Sequence, residues 1–178
     1  IGQNLKIIDE NGAALPQGAE GEIEIGGPQN ATAYLNPDGE IEAVRGKLLK
    51  TGDLGMLDAD GYLRITGRAK ELIIRGGVNI APLEIDNVVM KHRDAMEVCT
   101  IGVPDDIYGE KIICYVVPRA GRDLSPEDIL HHCADHLPNF KRPADAVISD
   151  KIARNARDKV DRNAMKERWM NAEAETQT

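Results

Sequence analysis

The tripeptide Thr51-Gly52-Asp53 places a glycine next to an acidic residue, and these residue types could take part in binding a sugar. The glycine lets the backbone turn tightly, so that the aspartate can point its carboxylate outward. A carboxylate that accepts hydrogen bonds from two vicinal hydroxyls is a common way to hold a ribose. Taken alone, the tripeptide is more typical of an ordinary turn.

Cations and glycines follow where the β-rich sequence gives way to sequence with both helix and strand patterns. Arg68 and Lys70 could neutralise a nucleotide phosphate or bind sugar hydroxyls, although isolated cations at a strand end are usually just solvated. Gly76 and Gly77 follow the apolar run Leu72-Ile73-Ile74 and permit positive φ and the close approach of a ligand. A tight bend between a strand and a loop would use the same two glycines.

Lys159 lies in the polar segment 152–160, which is rich in basic residues. A lysine beside a phosphate neutralises the charge that develops during phosphoryl transfer. Without other groups nearby, the same lysine would be one more residue of a basic helix start.

Two weak metal patterns in the sequence indicate no metal site. His132 and His136 stand one helical turn apart, but they lie off the apolar stripe that contains Cys133, as incidental histidines on a surface helix do. The segment Asp58-Ala59-Asp60-Gly61 lacks the closing glutamate of a calcium loop and predicts a hairpin turn.

Composition limits the class of protein. The chain has 178 residues, of which 42% are hydrophobic and 29% charged, as in ordinary globular proteins. A formal net charge of -8 argues against broad nucleic-acid binding, because phosphate backbones need a basic surface. No apolar run is long enough to predict a membrane-spanning helix. A homo-oligomer is compatible with these features.

The cysteines and the first residues indicate the setting of the chain. The three cysteines, Cys99, Cys114 and Cys133, show no close pairing, which predicts reduced thiols and a cytoplasmic location. The chain opens directly on a strand-like pattern without a methionine, and we therefore expect it to be a piece of a longer polypeptide.

The first 67 residues predict a small β subdomain. Short β-prone runs occur at Leu5–Ile8 and Glu22–Ile25, and the runs Leu54–Leu57 and Tyr62–Ile65 flank the predicted hairpin turn. Strands this short bury little surface, so we expect the subdomain to pack against further polypeptide.

From residue 68 the pattern becomes mixed. It predicts the order strand, helix, strand, strand, helix, strand, helix. After the first strand, the later strands are at Met96–Val103, Lys111–Val117 and Ala146–Ile148, and the helices are at Pro82–His92, after the cap residue Ser125, and at Val160–Trp169. This order is typical of a compact α+β domain over residues 68–170, with a polar, disordered tail at 171–178.

These signals occur in the order found in one enzyme superfamily. From Ile1 to about Trp169 the chain resembles the C-terminal third of the AMP-forming acyl-CoA synthetases, which belong to the adenylate-forming (AMP-binding) superfamily. The matching segments are TGDLGMLDADGYLRITGR (ribose motif and hinge), KELIIRGGVNIAPLEID (loop after the hinge), IGVPDDIYGEKIICYVV (a typical middle block) and IARNARDKVDR (catalytic-lysine motif).

The resemblance implies an α+β fold in two parts. Residues 1–67 would be the β subdomain that ends the large N-terminal domain, and residues 68–170 would be a C-terminal lid domain with its hinge near Lys70. The implied ligase activates a carboxylic acid, fatty or aryl, with ATP to an acyl-adenylate and transfers the acyl group to CoA, releasing AMP. ATP or AMP and coenzyme A are the implied ligands, and Mg²⁺ is expected through the N-terminal domain. The lid would swing between the two steps.

The resemblance also gives each site residue a role. Asp53 would hold the ribose hydroxyls, with Arg68 assisting from the hinge side. In the lid, Lys159 would be catalytic and contact the substrate carboxylate and the α-phosphate. The loop after the hinge would serve the thioester step: its glycines would let the pantetheine arm pass, and its asparagine would face the adenylate (Gly76, Gly77 and Asn79).

Two departures from the family pattern affect the lysine motif. Asp158 replaces a usual glycine and Ala153 a usual proline, and a negative charge beside Lys159 would weaken its attraction for phosphate. The chain also lacks a phosphate loop, an adenine motif and an acyl pocket, so we expect the 178 residues alone to be inactive. Two alternatives stay open: a module that binds CoA or a carrier-protein arm without catalysis, and an enzyme that loads a carrier protein. The wording RGGVNI favours CoA ligases.

Overall fold

The computed structural model of the protein describes residues 4–176. It divides into two compact units, named here unit 1, up to Lys70, and unit 2, from Glu71 onward. The division falls after Lys70 rather than after residue 67, because Arg68 still belongs to the last strand of unit 1.

Unit 1 is a β structure, as the sequence predicts. Its strands are β1 Asn4–Ile8, β2 Gly21–Gly26, β3 Ala33–Leu35, β4 Ile41–Ala43, β5 Leu49–Leu57 and β6 Leu63–Arg68. Four antiparallel strands form one sheet in the order β1-β2-β5-β6, and a separate hairpin pairs β3 with β4. Asp58 turns the chain between β5 and β6 by accepting hydrogen bonds from the backbone of Asp60 and Tyr62, which confirms the hairpin turn.

Unit 2 is an α+β domain. Its elements are β7 Ile73–Arg75, β8 Val78–Ile80, α1 Pro82–Val89, β9 Ala95–Asp105, β10 Gly109–Pro118, α2 Pro126–His136, β11 Asp145–Ile148 and α3 Arg162–Thr176, with a short 3-10 helix at Asn139–Lys141. A second 3-10 helix, Ala69–Glu71, spans the boundary between the units. The central strand β10 pairs antiparallel with β9 along its length, antiparallel with β7 at Gly109, and parallel with β11.

Alternation along β10 divides the core of unit 2 into two layers. Ile112, Cys114 and Val116 belong to a cluster that includes the buried residues of α1 and α2, whereas Ile113 and Tyr115 belong to a cluster with residues of α3. This arrangement follows from the period of two along a strand, which sends successive side chains to opposite faces. Helices therefore cover both faces of the sheet.

Three predicted helix bounds differ from the structure. The helix predicted over Pro82–His92 ends at Val89, because the N–H groups of Lys91 and His92 bond to carbonyls three residues back and tighten the chain into turns. The final helix begins at Arg162 rather than Val160, and it continues to Thr176.

The predicted tail is helical over most of its length. Residues 171–176 belong to α3, which contradicts the disorder predicted there; residues 177–178 lie outside the described residues. Ala172 and Ala174 are strong helix formers, and Glu173 makes an ion pair with Lys111 at 3.1 Å. Local propensity and one tertiary contact thus extend the helix. Within residues 4–176, no helix is both long enough and apolar enough to cross a membrane.

Candidate functional site

Asp53 and Arg68 face each other on β5 and β6. The Arg68 Nε atom lies 3.0 Å from Asp53 Oδ1, so the structure joins two residues that the sequence placed 15 positions apart. Pairing between β2 and β5 is interrupted here, because residues 51–53 lie opposite Ile23 alone. Such a bulge re-aims side chains, and Gly52 accommodates it with a φ of 75°.

Hydrogen bonds fix this bulge. The Thr51 hydroxyl donates to the Ile23 carbonyl at 2.9 Å and accepts from the Asp53 N–H at 3.1 Å. The Gly52 N–H donates to Glu22 Oε1 at 3.2 Å. The position of the Asp53 carboxylate is therefore set by the neighbouring strand as well as by Arg68.

A pocket of about 330 Å³ opens beside the bulge, entirely within unit 1. Its walls combine three cations with the Thr51 hydroxyl, backbone groups and the Glu22 carboxylate, and Asp53 is not among the lining residues. The cations could meet an anionic group of a ligand. Glu22 and Lys50 were not predicted, because their contribution depends on strand pairing between distant segments and no local motif marks them. The lining residues are Glu22, Lys50, Thr51, Gly52, Arg68 and Lys70.

Gly76 and Gly77 form the turn of the β7–β8 hairpin in unit 2. Arg75 pairs directly with Val78, and the two glycines between them have φ values of 58° and 79°. A two-residue turn with both central residues at positive φ is the arrangement that favours Gly-Gly. The positive φ that the two glycines indicated is present, but in a turn between two strands rather than in a bend between a strand and a loop. The backbone conformation alone accounts for both glycines.

The same hairpin carries the predicted Asn79. It lies on β8 opposite Ile74 and its side chain is exposed. Arg75 connects the hairpin to the rest of unit 2. Its Nη1 donates to the Phe140 carbonyl at 3.0 Å, and its guanidinium lies 5.2 Å from the centre of the Tyr108 ring. This support leaves the glycine turn and Asn79 accessible on a fixed base.

Lys159 lies on a second, smaller hairpin of unit 2. A bridge between Arg154 and Val160 closes this loop, and Asn155 spans it by donating its N–H to the Lys159 carbonyl at 2.8 Å. The Asn155 side chain also accepts from the N–H groups of Arg157 and Lys159, at 2.9 and 3.2 Å. Lys159 is exposed, and its ammonium makes no ion pair within the described part of the chain. The loop therefore presents a cation that is free to meet a ligand.

An ionic network centred on the buried Asp86 begins directly after this loop. Arg162 donates to Asp86 at 2.7 Å, to Glu71 at 2.8 Å and to the Thr100 carbonyl at 3.0 Å, and Asp86 also accepts from the Thr100 N–H. Burial raises the pKa of the Asp86 carboxyl group, and the charge of Arg162 opposes that shift. The network ties α1, β9 and α3 to Glu71, the first residue of unit 2.

Sequence reasoning missed this network. Asp86 looks like an ordinary helix residue beside the core positions, and Arg162 is one of many cations between residues 151 and 168. The only signal was an acid at a position of α1 that faces the core.

The predicted site residues thus fall into both units. Asp53, Arg68 and Lys70 lie in unit 1, and the glycine turn, Asn79 and Lys159 lie in unit 2. Among residues 4–176, no group of three or more His, Cys, Asp or Glu side chains is arranged to hold a metal ion.

Comparison with known proteins identifies relatives of both units. Residues 84–159 match the family described as AMP-binding enzyme C-terminal domain. The chain is 37% identical to an oxalate–CoA ligase of Arabidopsis thaliana over 171 residues, covering 96% of this chain and 33% of that protein. It spans about a third of the length of the curated relatives it matches.

Solved structures share the fold. ATP-bound MatB from Rhodopseudomonas palustris matches with a TM-score of 0.82 and 32% identity, over 95% of this chain and 34% of that one. The o-succinylbenzoate CoA synthetase from Bacillus subtilis, in complex with its acyl-adenylate intermediate, matches with a TM-score of 0.82 and 33% identity, over 93% of this chain and 34% of that one.

Proposed function

The chain belongs to the adenylate-forming superfamily, and on this premise we propose that it is the C-terminal part of an AMP-forming acid–CoA ligase. The activity would reside in a longer polypeptide, which supplies the phosphate loop, the adenine site and the acyl pocket. The 178 residues alone would be inactive.

One observation carries this proposal. The Asp53–Arg68 pair and the exposed Lys159 fall in two different compact units, and the chain passes from one unit to the other directly after Lys70. A nucleotide site that must serve two chemical steps can use such a division, because movement of one unit exchanges the groups that face the bound adenylate. The arrangement supports a hinge at Lys70.

In the first step, a carboxylate oxygen of the acid would form a bond to the α-phosphorus of ATP while the bond to pyrophosphate breaks. The carboxylate is already ionised at neutral pH, so no general base is needed. What is needed is neutralisation of the negative charge that accumulates between two anions. The Lys159 ammonium would supply this charge, while Asp53 would hold the ribose hydroxyls with Arg68 beside it.

In the second step, the sulfur of CoA would attack the carbonyl carbon of the acyl-adenylate, the thiol proton would leave to solvent, and AMP would depart. Neutralisation of charge by Lys159 is no longer the main requirement in this second step. The β7–β8 hairpin would replace it, because a turn without side chains lets the pantetheine arm pass close to the backbone at Gly76 and Gly77. Asn79, exposed on the same hairpin, would face the adenylate.

The proposal also names the class of acid and the acceptor of the acyl group. We propose a fatty or aryl acid as substrate and CoA as acceptor; the Arabidopsis relative acts on oxalate and the Bacillus one on o-succinylbenzoate, by their names. Buried thiols at Cys99, Cys114 and Cys133 support a reducing, cytoplasmic location.

The test is a panel of carboxylic acids given to the full-length protein, with acid-dependent exchange of pyrophosphate into ATP as the readout. We expect exchange with one class of acid, formation of its CoA thioester when CoA is added, and no exchange by the 178-residue chain alone. Binding of CoA without exchange for any acid would instead favour a non-catalytic module. Thioester formation only on a carrier protein would favour the carrier-loading enzyme.

A further inference from the structure

Asp158 places a carboxylate directly before Lys159. Its side chain is 87% exposed, and its φ of 59° lies in the left-handed region, where a residue with a Cβ is uncommon. An unpaired carboxylate at this point would attract the ammonium of its neighbour and compete with a phosphate for it. The loop therefore needs another cation near Asp158 if Lys159 is to stay free.

Arg154 provides that cation from the opposite side of the hairpin. Its Nη1 donates to the Asp158 carbonyl at 2.9 Å and lies 3.8 Å from Asp158 Oδ1. Its Nη2 donates to Glu97 Oε2 on β9 at 2.9 Å. One guanidinium thus closes the loop, fastens it to the sheet and places a positive charge beside the Asp158 carboxylate.

The charges around Arg154 keep it cationic. The hydrogen bond to Glu97 and the charge of Glu97, followed by that of Asp158, raise the pKa of Arg154 further above its ordinary value. Lys159, by contrast, makes no ion pair with any residue from 4 to 176. The carboxylate and the two cations are therefore arranged so that Asp158 is paired with Arg154.

We propose that Arg154 is a positioning residue for the adenylation step, which it serves by engaging the Asp158 carboxylate and leaving the Lys159 ammonium available to the substrate. This inference rests on the proposed function of Lys159. It explains how the chain tolerates an acid at a position where glycine is usual in the superfamily.

The exposed Arg157 offers a matched control, because it lies on the same loop and its side chain makes no hydrogen bond or ion pair within the described residues. In the full-length protein, we expect Arg154→Gln to lower the rate of acid-dependent exchange about fivefold, as for the loss of an exposed ion pair, and Arg157→Gln to change it less than about twofold. Both variants lose one positive charge from the same loop, and Arg157 is the nearer of the two to Lys159 in sequence, so a general field effect would not make Arg154→Gln the slower variant.

A double-mutant cycle separates the charge role of Arg154 from its structural role. In Asp158→Gly the carbonyl that accepts from Arg154 remains and only the carboxylate is lost. We expect Asp158→Gly to retain or exceed the original exchange rate, and Arg154→Gln to cost less than about twofold in that background. Thioester formation from preformed acyl-adenylate and CoA should change less than about twofold in every variant, whereas a loosened lid would slow both steps.

Several outcomes would overturn the inference. Equal losses in Arg154→Gln and Arg157→Gln, a loss that persists in the Asp158→Gly background, or a parallel loss of thioester formation would each do so while leaving the proposed function intact. If Arg154→Gln does not fold, Arg154→Lys, which keeps the charge, must retain exchange within about twofold. No exchange by the unsubstituted full-length protein for any acid would overturn both proposals.

Discussion

The Lys159 ammonium projects from a loop that hydrogen bonds hold in place: Asn155 bonds to the Lys159 backbone through both its own backbone and its side chain. A side chain fixed at its base but free at its tip suits a role in transition-state neutralisation, because the loop loses little further entropy when a ligand binds. The exposed position alone would not indicate this, since exposed lysines are common. The closed loop distinguishes Lys159 from an ordinary surface lysine. The lack of an ion pair within residues 4–176 does not, because the control residue Lys151 shares it.

Replacing Lys159 should slow the first step far more than the second. We expect Lys159→Ala in the full-length protein to lower acid-dependent exchange roughly 10²–10³-fold, by analogy with the loss of one preorganised electrostatic group. Thioester formation from preformed acyl-adenylate should be nearly unchanged. Lys151→Ala serves as the control, because it removes the same charge from a nearby exposed position. Equal effects on both steps would argue against a role specific to adenylation.

Residue identity predicted some roles better than others. The positive φ of Gly76 and Gly77 could be predicted from two adjacent glycines after an apolar run, because few other residues adopt that conformation. The pocket residues Glu22 and Lys50 could not, since only the pairing of β2 with β5 brings them together. Long-range strand register is not written in any short motif.

At the scale of single elements, α2 shows how local sequence sets a helix end. Ser125 caps the helix as predicted: its hydroxyl accepts from the Asp128 N–H at 3.2 Å, and the Asp128 carboxylate accepts from the Ser125 N–H at 3.0 Å. The hydrogen bonds from Ser125, side chain first and then backbone, lower the pKa of Asp128 below its ordinary value of 3.8. The cap therefore works best when Asp128 is ionised.

This cap predicts one pH dependence. Because the folded pKa of Asp128 lies below the unfolded value of 3.8, its contribution to stability is present above that value and is lost as the pH falls through the folded pKa. We expect Asp128→Asn to be less stable than the original chain at neutral pH and to approach it in acid. Urea unfolding of both proteins across the acidic range measures this; a difference that is constant with pH would contradict it. Glu127→Gln, which leaves the box intact, is the control.

The end of α3 shows where local reasoning failed. The polar sequence after Trp169 predicted a disordered tail, yet 171–176 are helical. A helix can be polar all round when it is propagated from a packed start, because each added residue gains a hydrogen bond without a new nucleation step. Here the packed start is Met165 and Trp169, which lie against the sheet.

The Arg162 network connects elements that no sequence pattern linked. Removing Arg162 would leave the buried Asp86 without its cation, and we expect Arg162→Met to lower the free energy of unfolding of unit 2 by about 3–5 kcal/mol. Arg157→Met, which removes an exposed arginine, should cost less than about 0.5 kcal/mol. Urea titration followed by Trp169 fluorescence compares the two. A loss below about 1 kcal/mol in Arg162→Met would show that solvent or another cation reaches Asp86.

At the scale of the whole molecule, the order of elements was predicted better than their partners. The change from β to α+β sequence was detected near residue 67, because hydrophobic period and turn spacing both change there, and the structural division follows Lys70. The layered core of unit 2 follows from alternation along β10. What the sequence alone did not provide was the ionic network and the pocket, which arise only once distant segments meet.

Unit 2 contains all the residues of the two buried clusters around β10, so its core does not depend on unit 1. We therefore expect a chain of residues 71–178 to fold alone, with the urea midpoint and slope that Trp169 reports in the 178-residue chain. Trp169 is the only tryptophan, so its fluorescence follows unit 2 in both proteins. The slope matters because it scales with the surface exposed on unfolding: equal slopes mean that the same body unfolds.

Arg162→Met provides a matched comparison. The free energy of unfolding that it removes should be equal in both chains if Glu71 completes the network in each. A lower midpoint or a shallower slope for residues 71–178 would mean that unit 1 stabilises unit 2, and the hinge proposed near Lys70 would then have to break that support each time it moved.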